Sequence, residues 1–453
     1  MTGKCLWINW LPLPEMAKVE INREDMNQNR GQMLNIPVEL LKLPNIVIKE
    51  MLVDKENRVI LLVESIEEGT LCHQCGKEVD AFHGHGEEIV LRHLPLSGNE
   101  MFIRIEPKRY HCKDCDAITT QRLSWYSQRC SHTNAYEDHI LLQLINSTVS
   151  DVCIKEQFGY EAVMGIIDRR IEVKIDWSKV ERLDTIGIDE ISLKKGHQDY
   201  VTIVTGRIGG KLLILGVLKD KEKATVKAFL KSIPKRIRRK VKAVCSDMYE
   251  GFINAAKEVF GKKVEIVVDR FHVAKLYRGC LDKLRVKELK RLKKKLSEQE
   301  YKKLKGVMWI LRKREEDLTF EDKETLELLF KHSPALKFAY ESSNELTAIF
   351  DTDLSKFHAK HKINSWIRRM EKNRTNCFKI FIGTLTKFKD EITNYFIDRN
   401  TSGFVEGFNN KIKAIKRRCY GILNIDHLFQ RIYLDTCGFS LFLPRTENQR
   451  VTQ

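Results

Sequence analysis

The sequence predicts a mixed α/β protein whose sheet is interrupted by a long all-helical block. A cysteine-bearing β region and a short helical segment precede it. Three observations point there. Residues 183–270 alternate strand-like and helical runs, residues 271–395 abandon strands, and two CxxC pairs sit among strand-like pieces near the start.

The bulk properties narrow the classes. A chain of 453 residues is too long for one core, and a hydrophobic content of 42% allows several. Lys and Arg number 79 against 62 Asp and Glu, a formal net charge of +17 that makes nucleic acid the first candidate partner. No apolar run approaches the roughly 18 residues of a membrane span. The N-terminus lacks the basic-then-apolar order of a signal peptide. Twelve cysteines are too sparse for a disulfide scaffold, so metal binding in a reducing cytosol fits better.

Taken in order, residues 1–35 show no periodicity and are expected to form a disordered leader. Residues 45–65 alternate apolar and polar and break at Asp54–Asn57, as a hairpin does. Cys72, Cys75, Cys112 and Cys115 then offer two knuckles, the donor set of a tetrahedral zinc ribbon. Within the same stretch His73, His83, His85 and His111 are alternatives for one position. With no position left open, the zinc is expected to be structural, in a domain spanning 36–130.

Residues 131–180 switch to a helical period. Ile140, Leu141, Leu144 and Ile145 form one stripe, and after Gly159 a further helix turns Val163, Ile166, Ile167 and Ile171 inward with Arg169 and Arg170 outward. This is the outline of a helix-turn-helix. From 181 to 270 three strands form a meander, followed by alternating helices and parallel strands. Asp247 and Asp269 end two of those strands, where open α/β sheets place their sites. Asp189 and Glu190 stand side by side in the first strand, and periodicity alone does not say which of them faces a site.

Between Lys283 and Arg314 there are fourteen Lys or Arg and three Glu. So one-sided a balance suggests phosphate contact through residues such as Lys290, Arg291 and Lys294. Trp309 and Trp366 read as packing residues. After the helical block, residues 396–440 carry a helix with Phe404, Phe408, Ile412, Ile415 and Cys419 on one face. Glu406, Asn409, Asn410, Lys413 and Arg417 lie on the opposite, wet one. Residues 441–453 are a tail. Asp189, Asp247 and Glu406 are the hard oxygen donors that two-metal phosphodiester chemistry needs, although spacing does not bring them together.

The motifs GIDEISLKKGHQDYVTIV, SDMYEGF, VVDRFHVAKL and SGFVEGFNNKIKAIKRRCYGI resemble the DDE transposases of bacterial insertion sequences, specifically the ISL-three family. The resemblance covers about residues 36–440. It implies a ribonuclease H-like core in two parts (181–270 and 396–440) around a helical insertion domain (271–395), with Asp189, Asp247 and Glu406 as the triad holding Mg²⁺ or Mn²⁺. His272 of Asp269-Arg-Phe-His272 is then expected near the scissile DNA. The implied function is metal-dependent cleavage at terminal inverted repeats and joining of the 3′-hydroxyl to target DNA. It would be carried out in the bacterial cytoplasm, at the nucleoid, by a homodimer or higher oligomer on double-stranded DNA. Lys413 and Arg417 join the expected DNA path. The competing reading is a sequence-specific DNA-binding regulator with an inactive nuclease-like core.

Overall fold

The computed structural model describes residues 38–194, 198–208, 211–373, 376–399 and 403–443; side chains at the margins of these segments, including Glu406, lie outside the description. The leader expected over 1–35 and most of the tail also lie outside the described residues. The chain divides into two compact units, one drawn from Met1–Ile171 and Leu434–Gln453, the other Glu172–Tyr433.

In the first unit, strands β1 (Ile46–Val53) and β2 (Val59–Ser65) form an antiparallel hairpin. Its turn falls where the apolar alternation breaks. The Asp54 carboxylate accepts the Glu56 and Arg58 N–H groups, and Asn57 takes a left-handed φ of 60°. Small strands β3 (Thr70–Leu71), β4 (Glu78–Val79) and β5 (Ala81–His85) follow, then β6 (Ile89–Leu96), β7 (Asn99–Ile105), β8 (Lys108–Cys112) and β9 (Ala117–Thr120). The larger sheet has the order β1-β2-β7-β6, with β2 and β7 parallel. Val59, Leu61, Val63, Met101, Ile103 and Ile105, every second residue of β2 and β7, bury one face with Trp125. Strands β5-β8-β9 and the β3–β4 hairpin make the smaller sheets that carry the cysteines.

Three helices complete this unit: α1 (Asn134–Leu144), α2 (Val149–Glu156) and α3 (Tyr160–Arg170). Thr133 caps α1, and Thr148 with Asp151 forms a capping box on α2. Ile140, Leu141, Leu144, Val163, Ile166 and Ile167 are buried, as their periodicity requires.

The second unit is built on five strands: β10 (Thr185–Lys194), β11 (Gln198–Ile208), β12 (Lys211–Leu218), β13 (Ala243–Ser246) and β14 (Glu265–Val268). Their order is β12-β11-β10-β13-β14; the first three pair antiparallel, and β10, β13 and β14 pair parallel. Helices α4 (Lys223–Ser232), α5 (Lys235–Arg238) and α6 (Glu250–Phe260) connect the strands. Even-numbered Ile186, Ile188 and Val204 pack with Val226, Leu230 and Phe252 on the face of α4 and α6.

Beyond β14 the chain is helical: α7 (Arg270–Lys295), α8 (Glu298–Lys303), α9 (Val307–Ile310), α10 (Phe320–His332), α11 (Pro334–Asp351), α12 (Lys356–Lys372), α13 (Lys379–Lys387), α14 (Lys389–Thr393) and α15 (Tyr395–Asp398). Trp366 is fully buried in this block and donates its indole N–H to the Ser342 carbonyl at 2.9 Å. Trp309 corrects the expectation of a packing residue. It is 63% exposed, with the Arg312 guanidinium 5.5 Å from its ring, because the short α9 buries only its Val307 and Ile310 side.

Helices α16 (Gly403–Arg418) and α17 (Ile425–Phe442) return to the sheet. Phe408, Ile412 and Ile415 of α16 and Leu428, Phe429 and Ile432 of α17 pack on odd-numbered Ile191, Leu193, Val201 and Ile203. Both faces of the central strands are therefore covered, by different helices. That is why apolar residues run almost continuously through β10 and β11.

Candidate active site

The parallel register assembles an acidic row. Ile188 of β10 pairs with Ser246 of β13, which pairs with Val268 of β14. The residues that follow them, Asp189 within β10 and Asp247 and Asp269 just past the ends of β13 and β14, therefore stand at one level of three neighbouring strands. Parallel pairing achieves this without any sequence proximity.

Face alternation separates Asp189 from Glu190. Asp189 shares its side with Ile191 and Leu193, the side covered by α16, and the Asn409 amide of that helix donates to Asp189 Oδ2. Glu190 points the other way, to a 3.1 Å ion pair with Lys221, whose ammonium lies 5.1 and 5.4 Å from the rings of Tyr200 and Tyr249. The neighbour left unexplained by sequence is thus a paired carboxylate.

Asp247 Oδ1 accepts the Tyr249 backbone N–H at 3.1 Å. Burial pushes the Asp247 carboxyl up to about 6, with the Asp189 charge adding to it. Burial also raises Asp189, helped by Asp269 and Glu190. Asp269 caps α7 by accepting the Phe271 N–H at 2.9 Å, and its other oxygen lies 3.3 Å from His272 Nδ1. Asp269, then Asp189 and Asp247, hold the His272 imidazole above its ordinary range. The half-buried His272 ring thus lies in the field of several carboxylates. Hard oxygen donors concentrated in this way suit Mg²⁺ or Mn²⁺.

The cysteines form the second centre. The Sγ atoms of Cys72, Cys75, Cys112 and Cys115 all lie within 4.8 Å of one another. Three pairs are 3.4, 3.6 and 3.9 Å apart. Tetrahedral ligation with Zn–S bonds of about 2.3 Å requires sulfurs roughly 3.8 Å apart, so the set fits zinc. Backbone N–H groups of Cys75 and Gln74 bring the Cys72 thiol down to about 5, and contact with Cys72 pushes Cys115 up to about 12. Zinc supplies the positive charge that such a cluster of thiolates needs. None of the four nearby histidines displaces a cysteine from the cluster.

Comparisons with known proteins cover the zinc ribbon and the five-stranded unit. Residues 186–432 match the family profile of the ISL3 DDE transposases, described as "Transposase". Residues 68–115 match the zinc finger of the transposases of IS204, IS1001, IS1096 and IS1165. The transposase for insertion sequence element IS1001 of Bordetella parapertussis is 28% identical over 368 residues, 80% of this chain and 87% of that protein. The transposase for IS1557 of Mycobacterium tuberculosis is 23% identical over 399 residues, 83% and 88% of the two chains. The chain belongs to the ISL3 family of DDE transposases.

In this ISL3 transposase the residues singled out by sequence fall into distinct settings. Glu406 belongs to α16, three residues before Asn409, and its side chain lies outside the description. Lys290, Lys294, Lys413 and Arg417 are exposed. Arg291 is instead a brace, pairing with Glu288 at 2.6 Å and donating to the His332 carbonyl at 2.8 Å. Arg169 is exposed, as expected of it, and Arg170 is half-buried, yet both also pair with acidic residues. Arg169 pairs with Glu137 at 2.6 Å, and Arg170 pairs with Glu137 at 2.9 Å and with Asp138. Their common partner is Glu137, which is 1% exposed on α1. Cys130, His132 and Glu137 also bring three donor atoms within 4.8 Å, but the two guanidiniums already neutralise that carboxylate.

Asn409 also departs from expectation. Instead of lying on a wet face it is 3% exposed, because Asn409 and Lys416, seven residues apart on one side of α16, both reach β10. Its adjacency to Phe408, at the edge of the apolar stripe, was the available signal. Among the described residues, no helix is long and apolar enough to cross a membrane.

Proposed function

We propose that the protein binds the terminal inverted repeats of an insertion sequence, cleaves DNA strands at the element ends and joins the freed 3′-hydroxyl to target DNA. The observation that carries this reading is the acidic row Asp189, Asp247 and Asp269, aligned by register, with Asp247 raised by burial and by the Asp189 charge. Asp189 and Asp247 hold divalent metal together with Glu406, which the nearby helix α16 carries. Bound Mg²⁺ or Mn²⁺ supplies activation of the attacking oxygen and stabilisation of the leaving one. His272 lies at the N-terminus of α7, where an imidazolium stabilises a phosphate.

The five-stranded order, with three antiparallel strands followed by two parallel ones, supports a ribonuclease H-like core in two parts. On this reading α7–α15 form the insertion domain of residues 271–395. The short helices α1–α3 support a helix-turn-helix within 131–180, and the ribbon holds its own fold through zinc. Exposed Lys290, Lys294, Lys413 and Arg417 line the DNA path, and two such chains hold the paired ends. In the cell this places the protein in the cytoplasm, at the nucleoid.

The test is incubation with DNA carrying the element's own ends and a target duplex, in Mg²⁺ and in EDTA. Mg²⁺-dependent nicks at the ends and joined products are expected from the wild type and none from Asp247→Ala. Equal cutting by the two proteins overturns the proposal. Specific binding with no cutting by either instead identifies a regulator with an inactive core.

A further inference from the structure

The Asn409 amide oxygen is buried and has no hydrogen-bond partner, while the amide nitrogen of the same side chain donates to Asp189 Oδ2. Asp189 Oδ1 is held separately by the Glu190 backbone N–H at 2.8 Å. A buried acceptor left without a partner is costly, so a donor is expected to meet it in the working protein. Among the described residues the nearby side chains do not supply one. Lys416, the next cation on this side of α16, is turned to the Ser192 carbonyl, and Lys413 is exposed. Phe408 and Ile412, beside Asn409 in the chain, are fixed in the core against β10 and leave the amide little freedom to move.

We propose that Asn409 is a positioning residue of the metal site, orienting Asp189 through its amide N–H and accepting, through its amide oxygen, from the water shell of the divalent ion. Magnesium-like ions keep several waters when bound by few carboxylates, which provides the missing donor. The choice of amide follows from the same geometry. Aspartate at 409 would set a second carboxylate against Asp189, and an aliphatic side chain would neither orient Asp189 nor meet the water. The inference rests on Asp189 being a metal ligand, as proposed above.

Mn²⁺ binding to the full-length, zinc-loaded protein, read from the free-ion electron paramagnetic resonance signal, separates the two. Asp189→Ala is expected to lose the tight site. Asn409→Leu, close in volume, is expected to weaken Mn²⁺ binding by about 10–100-fold, the scale of losing an outer-shell partner. If Asn409→Leu does not melt cooperatively, Asn409→Ala serves for the same reading. A residue that merely fastens α16 to β10 would lower the melting temperature and leave the Mn²⁺ affinity within about twofold. That outcome, with Asp189→Ala still impaired, overturns the inference and leaves the metal site standing. Binding unchanged in Asp189→Ala overturns the metal site itself.

Discussion

Two carboxylates removed from solvent to different degrees, buried Glu137 and half-buried Asp247, receive opposite treatment. Glu137, in the first unit, meets His132, Arg169 and Arg170; burial alone would raise its carboxyl, but these partners outweigh it and hold it at about 2. Among the described residues the carboxylate of Asp247, in the second, accepts only the Tyr249 backbone N–H, and burial, with the Asp189 charge, drives it up to about 6. The contrast distinguishes structure from function. A compensated buried charge fixes a fold, whereas one raised by burial and by a neighbouring charge persists where an ion is to be bound.

The largest expected effect breaks the comparison on the acidic side. Asp247→Asn should reduce strand cleavage on the order of a thousandfold or more, as loss of preorganised charge stabilisation does, in a cleavage assay with end-bearing DNA. On the other side, Glu137→Gln strands two guanidiniums. It should destabilise the first unit by about 3–5 kcal/mol in denaturant titration, with metal making no difference.

The pH responses should have opposite signs. The Asp247 carboxyl, raised from 3.8 to about 6, holds its proton more tightly in the folded state, so its contribution to stability falls as pH rises between those values. Glu137, lowered from 4.5 to about 2, contributes stability that is lost as pH falls through that interval. Thermal melts in chelator across pH 2–7 should therefore flatten near pH 4–6 in Asp247→Asn and near pH 2–4.5 in Glu137→Gln. The smallest effect concerns the cations. Lys413→Ala should reduce the salt slope of DNA binding by about one, while Arg170→Ala, which removes an internal ion pair, should leave that slope unchanged.

Much of this could be read before folding. The CxxC spacing identified the ribbon, the alternating runs of 183–270 identified a mixed α/β core, and the stripe of Phe408, Ile412 and Ile415 identified the buried face of α16. Partners distant in sequence could not be read. Choosing between Asp189 and Glu190 requires knowing that α16 covers the odd face of β10, more than two hundred residues away in the chain. The pairing of Arg169 and Arg170 was not legible because helical periodicity shows which residues are apolar but not that α1 would bury Glu137 beside them. Asn409 was hidden for the same reason. A polar residue on a helix looks wet until its acceptor arrives from another element.

Melting of the second unit with and without Mg²⁺ tests the contrast most directly. Mg²⁺ should raise the melting temperature of the wild type and leave Asp247→Asn unmoved, and without metal Asp247→Asn should be at least as stable as the wild type, since one repelling charge is gone. A metal-free Asp247→Asn that is less stable than the wild type, with Mg²⁺ shifting both proteins alike, would contradict the assignment of the acidic row as a cation site.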